Sequence, residues 1–188
     1  MSLSDYLQQS IEVLQQTLQT LDPQRMEAAI AHIVDALRQD RPLLVFGNGG
    51  SAADAEHITG ELVGRFLKER RGLNAICLSS NTAVLTAWSN DYSYETIFAR
   101  QVEAYGRSGG VALGLSTSGN SPNVIKAFKT AHTMGMTTVA LTGAGGGKMA
   151  SVSDVLLDIP SRHTPLIQQA HICLYHYLCQ RIEEALTM

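Results

Sequence analysis

The chain has 188 residues, of which 45% are hydrophobic and 16% charged, and its formal net charge is −3. These totals are typical of one globular domain with a proper core, and they exclude a disordered chain. Since nucleic-acid binding without base contacts needs a basic surface, the charge also argues against that function.

The N-terminal segment and the cysteines predict a cytoplasmic protein. The first residues, M-S-L-S-D-Y-L-Q-Q-S, have neither a basic region nor an apolar core, so we expect no signal peptide. No apolar run approaches the ~18 residues of a membrane span. Cys77, Cys173 and Cys179 are odd in number and form no C-x-x-C pair, so we expect reduced thiols.

Apolar residues near the N-terminus recur at alternating intervals of four and three: Leu7, Ile11, Leu14, Leu18 and Leu21. This spacing predicts a helix with one apolar stripe. The stripe either packs on its own domain or forms a helix–helix contact between subunits, and the sequence leaves both open. Asp22 and Pro23 predict the cap and first turn of a second helix that runs to about Arg38.

After Pro42 the pattern changes to short apolar runs: L-L-V-F (43–46), N-A-I-C-L (74–78), V-A-L-G-L (111–115), T-V-A-L (138–141) and V-L-L-D-I (155–159). Because the intervals between them are long enough for helices, the runs predict a parallel sheet covered on both faces. In such sheets ligands bind beyond the carboxyl ends of the strands. We therefore expect one α/β domain over 1–188, with N-terminal helices over 1–40 and an α/β body over 41–188.

Two strand-to-helix junctions are rich in glycine and hydroxyl residues. In the first, F-G-N-G-G-S, Gly49 and Gly50 let the backbone approach a ligand closely. The second supplies four hydroxyls before a helix that begins near Pro122, and the N–H groups of that helix start favour an anion. The hydroxyl residues are Ser116, Thr117, Ser118 and Ser121.

Either junction alone is also compatible with an ordinary capped turn. Together, at strand ends of one sheet, they indicate a site for a phosphate monoester. Neither junction has the spacing of a P-loop or of G-x-G-x-x-G, so we expect no nucleotide cofactor.

Two predicted helices carry side chains suited to acid–base or metal chemistry. His57 and Glu61 are four residues apart and share a face, which suits one metal ion or a carboxylate base beside an imidazole. Near the C-terminus, Gln168, His171 and His176 lie on a second helix. In that helix a lone histidine is more often structural than catalytic, and core positions are predicted for Ile172, Tyr175 and Leu178.

Geometry limits what the second helix can do within one chain. Gln168 and His176 are about 12 Å apart along a continuous helix, at about 1.5 Å per residue. Convergence on one ion would therefore need long side chains, a helix break or another subunit, and the sequence does not choose among these.

Four segments in order resemble a known family: G-N-G-G-S-A-A-D-A-E-H-I-T-G-E-L-V-G-R-F (47–66), N-D-Y-S-Y (90–94), S-T-S-G-N-S-P-N-V-I-K-A (116–127) and I-Q-Q-A-H-I-C-L-Y-H (167–176). Over almost its whole length the chain resembles the sugar isomerase (SIS) domain family and, within it, the phosphoheptose isomerases. The resemblance implies a three-layer αβα fold of the flavodoxin-like kind, with a five-stranded parallel sheet preceded by N-terminal helices.

The resemblance also implies residue roles, one zinc ion per subunit, and a homotetramer with active sites at subunit contacts. Glu61 and His176 match the catalytic pair. The zinc ligands match His57, Glu61, Gln168 and His176. The substrate-binding positions match Asn48, Gly49, Gly50, Ser51, Glu61, Asn90, Asp91, Ser116, Thr117, Ser118, Ser121 and Gln168.

The implied reaction converts sedoheptulose 7-phosphate to D-glycero-D-manno-heptose 7-phosphate through a cis-enediolate. It is the first step towards the heptose of lipopolysaccharide or other surface glycans. Glu61 would carry a proton from C1 to C2, and His176 would serve the oxygens or ring opening. Zinc would polarise the carbonyl, unless it is only structural or incidental.

Two rival functions use the same fold. One is a non-catalytic SIS-domain protein that binds the bacterial replication initiator; it lacks a carboxylate at the position of Glu61. The other is a sugar-phosphate sensor, for whose DNA-binding domain the residues before the first strand leave little room. A departure from the family puts sugar preference in question, because A-R-I-Q-E is common where this chain has Pro165, Leu166, Ile167, Gln168 and Gln169.

Overall fold

A computed structural model describes residues 1–187 and gives an α/β fold built on one parallel sheet. Its strands are β1 (Leu43–Gly47), β2 (Ala75–Cys77), β3 (Val111–Ser116), β4 (Thr137–Thr142) and β5 (Val155–Asp158). They are hydrogen-bonded in the order β2-β1-β3-β4-β5. All five predicted strands and the flavodoxin-like order are therefore confirmed.

Seven helices surround the sheet within residues 1–187: α1 (Leu3–Thr20), α2 (Pro23–Arg38), α3 (Gly50–Val63), α4 (Thr82–Asp91), α5 (Ile97–Tyr105), α6 (Pro122–Thr133) and α7 (Thr164–Leu186). Short 3-10 turns lie at Tyr94–Thr96 and Gly147–Ser151. The predicted start of α2 is confirmed, because the Asp22 carboxylate accepts the Gln24 N–H at 2.9 Å and Pro23 opens the helix.

Alternate residues of β1 point to opposite faces of the sheet and enter different cores. Leu43 and Val45 pack with α2, α3 and α7, whereas Leu44 and Phe46 pack with α5 and α6. This alternation confirms the three-layer arrangement, with helices on both sides of the sheet. The assignment of 1–188 to one domain, divided at residue 41, stays a prediction.

Much of the apolar stripe of α1 is exposed. Val13 and Thr17 are the buried residues of this helix, whereas Leu7, Ile11 and Leu18 are 52%, 47% and 85% exposed. Leu21 packs on the main core, so packing on its own domain accounts for one end of the stripe and leaves the rest uncovered.

Helix α7 differs in one respect from the predicted core positions. Tyr175 and Leu178 are buried as predicted, each 1% exposed. The prediction for Ile172 is wrong, since its side chain lies on the outer face of α7 and the residue is 38% exposed.

No helix within residues 1–187 combines the length and the apolar character that a membrane crossing requires.

Helices α3 and α7 run side by side in the same direction, and this arrangement places residues distant in sequence together. The Gln168 side chain lies over Gly50 at the start of α3. Further along, the Tyr175 hydroxyl lies 2.9 Å from His57 Nδ1. Beyond the end of α3, the Glu183 carboxylate accepts the Phe66 N–H at 2.9 Å.

Candidate active site

Four hydroxyl side chains gather where β3 ends, and we call Ser116, Thr117, Ser118 and Ser121 the hydroxyl cradle. Ser116 Oγ lies 2.8 Å from Ser121 Oγ and 3.5 Å from Ser118 Oγ. The turn between them needs Gly119, whose φ is 64° and whose added Cβ would collide with the Gly146 backbone. The three serine hydroxyls therefore form one compact group at the carboxyl edge of the sheet, and Thr117 lies in the same turn.

Helix starts that lack a side-chain cap follow the strands at the carboxyl edge of the sheet. Within residues 1–187, α3, α5, α6 and α7 begin without a side-chain cap hydrogen bond, and of these α3, α6 and α7 directly follow the strands β1, β3 and β5. Helices α1, α2 and α4 all have such a cap. At the start of α7, Thr164 Oγ1 lies 3.5 Å from Thr117 Oγ1. Uncapped N–H groups beside hydroxyl donors suit a phosphate group.

Two residues that the sequence analysis left without a role, Asn123 and Tyr94, bond to Asn48 of the first glycine-rich loop. Asn48 and the buried Asn123 exchange two amide hydrogen bonds, at 3.0 and 2.9 Å. The Tyr94 hydroxyl donates to Asn48 Oδ1 at 2.7 Å. The motifs N-D-Y-S-Y and S-P-N contained Tyr94 and Asn123, but no local pattern shows that both reach Asn48.

The first loop itself presents backbone rather than side chains. Gly49 has a φ of 58°, which favours glycine, and both Gly49 and Gly50 are exposed. Ser51 is buried, 3% exposed, and packs against Gly47. The ligand contacts predicted for these residues stay predictions.

Asn90 and Asp91 lie at the exposed end of α4. Their side chains bond to each other, Asn90 Nδ2 donating to Asp91 Oδ1 at 2.9 Å. The side-chain link from this segment to the first loop is made three residues later by Tyr94. The substrate contacts predicted for Asn90 and Asp91 are therefore still untested.

His57, Glu61 and His176 converge, and we call them the acid–base cluster. His57 Nε2 lies 3.0 Å from Glu61 Oε1 and 3.4 Å from His176 Nε2. One ligand atom from each residue falls within 4.8 Å of the others. Two imidazole nitrogens and a carboxylate oxygen are donors that Zn²⁺ accepts, so the group fits a metal site as well as proton transfer.

Gln168 lies at a different level of the two helices. Its amide occupies the space where a Cβ on Gly50 would be, with Gln168 Cδ 2.9 Å from that position. His176 is two helical turns further along α7. The chain therefore brings three of the four predicted zinc ligands together and places the fourth at the start of α3.

Behind the acid–base cluster, Tyr175 and Asp54 contact His57 from the protein interior. Tyr175 Oη lies 2.9 Å from His57 Nδ1, and its hydroxyl donates to Asp54 Oδ1 at 3.4 Å. Burial raises the pKa of Asp54, although Tyr175 and His57 act against it. Burial, followed by the nearby Asp54 charge, also raises the pKa of Tyr175.

An ion pair between Arg70 and Glu183 supports the end of α3. Arg70 Nε lies 3.2 Å from Glu183 Oε1, with side-chain exposures of 5% and 1%. The Arg70 guanidinium donates to the main-chain oxygen of Glu61 at 2.8 Å. The Glu183 carboxylate accepts the N–H groups of Phe66, Leu67 and Lys68.

This ion pair affects both the site and the ionisation of Glu183. It fixes the segment in which the Phe66 ring lies 5.7 Å from the His176 ring. Burial acts to raise the pKa of Glu183, but the N–H groups and Arg70 outweigh it, so this pKa is lowered. Sequence reasoning missed the pair because its members are far apart in the chain.

The segment that departs from the family pattern packs towards α1. Leu166 is 6% exposed and belongs to a small apolar cluster with Val13. Gln169 Nε2 donates to the Tyr6 hydroxyl at 3.0 Å. These side chains therefore attach α7 to α1, and their effect on sugar preference stays open.

Comparison with known proteins agrees with the class that the sheet and its loops define. The family model described as the SIS domain matches residues 5–143. The phosphoheptose isomerase of Aquifex aeolicus is 55% identical over 152 residues, which are 81% of this chain and 80% of that protein. That of Roseiflexus sp. is 49% identical over 183 residues, 97% of this chain and 92% of the relative.

A solved structure shows the same likeness in three dimensions. The phosphoheptose isomerase of Neisseria gonorrhoeae matches with a TM-score of 0.91 and 40% identity, over 97% of each chain. The chain therefore belongs to the SIS domain family and, within it, to the phosphoheptose isomerases.

Proposed function

We propose that this protein is a ketose–aldose isomerase that converts sedoheptulose 7-phosphate to D-glycero-D-manno-heptose 7-phosphate, in the direction of heptose biosynthesis. The observation that carries the proposal is the convergence of His57 and Glu61 of α3 with His176 of α7, in a chain where Asn48, just before α3, bonds to Asn123, just after the hydroxyl cradle. A group that holds phosphate and a group that moves protons are the two parts that such a reaction needs.

The phosphate is held by the hydroxyl cradle and by the positive N-terminal end of α6. This anchors one end of the open-chain sugar, and its other end must reach an acid–base cluster, either of the same chain or of a neighbouring subunit. Glu61 is partly buried, its side chain 23% exposed, so its carboxylate is accessible to a bound sugar.

Proton transfer within the sugar needs one base and one group that serves the oxygens. The Glu61 carboxylate removes a proton from C1 of the ketose, which leaves a cis-enediolate, and returns the proton to C2. His176 takes the proton of the O1 hydroxyl and supplies one to O2, so that C1 becomes the aldehyde. The Oε1 atom of Glu61 faces His57, which leaves Oε2 for the carbon-bound proton.

His57, Glu61 and His176 would hold a zinc ion, with Gln168 as the expected fourth ligand. When bound, zinc would supply Lewis-acid polarisation of the substrate carbonyl. Because Gln168 lies over Gly50, its participation requires its side chain to reach along α3 or to act across a subunit contact.

Assembly into a homotetramer is also part of the proposal. Leu7, Ile11 and Leu18 leave an apolar stripe exposed on α1, and α4 has no buried residue among those described. Surfaces of this kind favour association, because apolar area is removed from water. Native mass spectrometry would give four chains if the proposal is right and a monomer if it is wrong. A cytoplasmic location stays a prediction.

The initiator-binding alternative is not favoured, because the chain keeps the Glu61 carboxylate and its similar proteins are isomerases.

The test of function is to incubate the protein with sedoheptulose 7-phosphate in D₂O and follow the sugar by NMR. An enediolate that exchanges its proton with solvent gives an aldose product with deuterium at C2. Absence of any product with sugar phosphate bound would leave a binding protein as the better account.

A further inference from the structure

Tyr175 combines full burial with a hydroxyl that touches the acid–base cluster. The residue is 1% exposed and would pass for an ordinary core position of α7. Its hydroxyl oxygen nevertheless lies 2.9 Å from His57 Nδ1 and 3.4 Å from Asp54 Oδ1. A chain of polar atoms thus runs from Asp54 through Tyr175 and His57 to Glu61.

Hydrogen-bond accounting restricts where the protons of this chain lie. Tyr175 has one hydroxyl proton, which it gives either to Asp54 or to His57 Nδ1. Asp54 is 8% exposed, its Oδ2 has no partner within residues 1–187, and the Tyr175 hydroxyl is the donor at Oδ1. A buried acceptor without a donor is costly, whereas Glu61 can be hydrated because its side chain is 23% exposed.

If Tyr175 donates its proton to Asp54, the positions of the protons on His57 are determined as well. Tyr175 Oη then accepts the proton of His57 Nδ1, and His57 Nε2 keeps its lone pair. This lone pair lies 3.4 Å from His176 Nε2, which can donate to it, and 3.0 Å from Glu61 Oε1, an acceptor that water or a bound metal ion then has to satisfy. A neutral imidazole with a free Nε2 is the form in which histidine binds a metal ion.

We propose that Asp54 and Tyr175 are positioning residues that fix the Nδ1-protonated tautomer of His57 and so present its Nε2 lone pair to the acid–base cluster. The inference deepens the proposed function, on whose metal site it rests. It assigns to Tyr175 and Asp54 a role that neither the motif matches nor the packing of α7 had given them.

The experiment measures the tautomer of His57 in metal-free protein labelled with ¹⁵N-histidine. Two-bond ¹⁵N–¹H correlation spectra at about pH 8.5, where imidazoles are ordinarily neutral, distinguish the two tautomers. The His57 signals are assigned by their loss in His57→Gln. We expect Nδ1–H in the unsubstituted protein; Nε2–H there would overturn the inference without reference to any variant.

Two substitutions interrupt the hydrogen bonds from Asp54 through Tyr175 to His57, which we call the relay, at different points. Tyr175→Phe removes the acceptor for Nδ1–H, and Asp54→Leu frees the Tyr175 proton to donate to Nδ1. Both should move His57 to the Nε2–H form, for which Glu61 Oε1 is an acceptor at 3.0 Å. An unchanged tautomer in either variant would remove that residue from the relay. The matched control is Tyr6→Phe, which deletes a hydroxyl that contacts α7 at Gln169 and should leave His57 unchanged.

Zinc binding gives a second readout that does not depend on turnover. In competition with a chromophoric chelator, Tyr175→Phe should bind Zn²⁺ about 10- to 100-fold more weakly than the unsubstituted protein, and Tyr6→Phe equally well. Equal affinity in Tyr175→Phe would contradict a role in metal binding. If the unsubstituted protein shows Nδ1–H but binds no zinc, the tautomer relay stands and the zinc part of the proposed function falls.

Discussion

The hydroxyl cradle lies at the carboxyl edge of the sheet, whereas the acid–base cluster lies two or more turns along α3, and the two are built in different ways. The cradle comes from six successive positions, Ser116 to Ser121, at the end of one strand. The cluster joins His57 and His176, which are 119 positions apart, through the parallel packing of α3 and α7. A substitution in the cradle should therefore affect phosphate binding alone. A substitution that loosens the packing of α3 on α7 should lower both the free energy of unfolding and the activity.

The largest expected effect is on the helix pair. Glu183→Ala leaves Arg70 buried without its partner and removes the acceptor for three backbone N–H groups. We expect the free energy of unfolding to fall by about 3–5 kcal/mol in urea titrations at fixed protein concentration. Glu184→Ala, which removes an exposed carboxylate next to it, should change this free energy by about 0.5 kcal/mol or less. Equal losses in the two variants would contradict the account.

The same carboxylate should contribute to acid sensitivity. Its lowered pKa means that the stabilisation is present above the ordinary value of 4.5 and is lost as the pH falls below it. Glu183→Gln should therefore flatten the decline of stability in this acidic range.

His171 connects the two regions and predicts a pH effect of intermediate size. Its Nε2–H donates to the Thr142 carbonyl at 3.1 Å, and the next residue, Gly143, donates its N–H to Thr117 O in the cradle. Burial lowers the pKa of His171 from 6.5 to about 4, with the Thr142 bond acting against it. The folded protein therefore keeps His171 neutral while the unfolded chain takes up a proton.

Stability should accordingly fall as the pH drops from 6.5 to about 4, by up to about 3 kcal/mol from this residue. In His171→Gln this part of the slope should disappear when unfolding is measured at several pH values. His32→Gln, at an exposed position of α2, should keep the slope of the unsubstituted protein. A slope that survives in His171→Gln would show that another group causes it.

A change confined to the cradle should affect binding without affecting the fold. Ser121→Ala removes the hydroxyl 2.8 Å from Ser116 Oγ and one donor to the phosphate. A hydrogen bond to a charged group contributes about 1.5–3 kcal/mol, so we expect KM for the sugar phosphate to rise about 10- to 100-fold with kcat less changed. Ser10→Ala, whose hydroxyl bonds to the Tyr6 carbonyl within α1, is the control. Identical KM values in both variants would argue against a phosphate site here.

The smallest expected effect concerns Gln168. In Gly50→Ala the added methyl group would displace the Gln168 amide, while Gly60→Ala meets nothing within 4 Å. If Gln168 assists metal binding, Gly50→Ala should weaken zinc binding by about tenfold or less. Gly60→Ala should leave zinc binding unchanged and stabilise the helix by up to about 1 kcal/mol. Unchanged zinc affinity in Gly50→Ala would remove Gln168 from the metal site.

The sequence predicts features that depend on neighbouring residues better than features that depend on contacts between distant residues. The strands and the cradle could be predicted because each depends on residues within a few positions. The members of the acid–base cluster were predicted too, but their convergence needed the packing of α3 on α7. Arg70, Glu183 and Tyr175 had no predicted role in the site, because a buried ion pair and a buried hydroxyl become functional only through partners more than a hundred positions away.

The central claim is that Glu61 is the base of an isomerase, and one comparison of rates tests it most directly. Turnover of sedoheptulose 7-phosphate is measured for the unsubstituted protein and for Glu61→Gln, each with and without added zinc. Loss of a general base should lower kcat by about 10² to 10⁴, while the amide preserves the size of the side chain. Turnover by the unsubstituted protein together with a loss of that size would support the account. Equal turnover in Glu61→Gln, or none in the unsubstituted protein under both conditions, would contradict it.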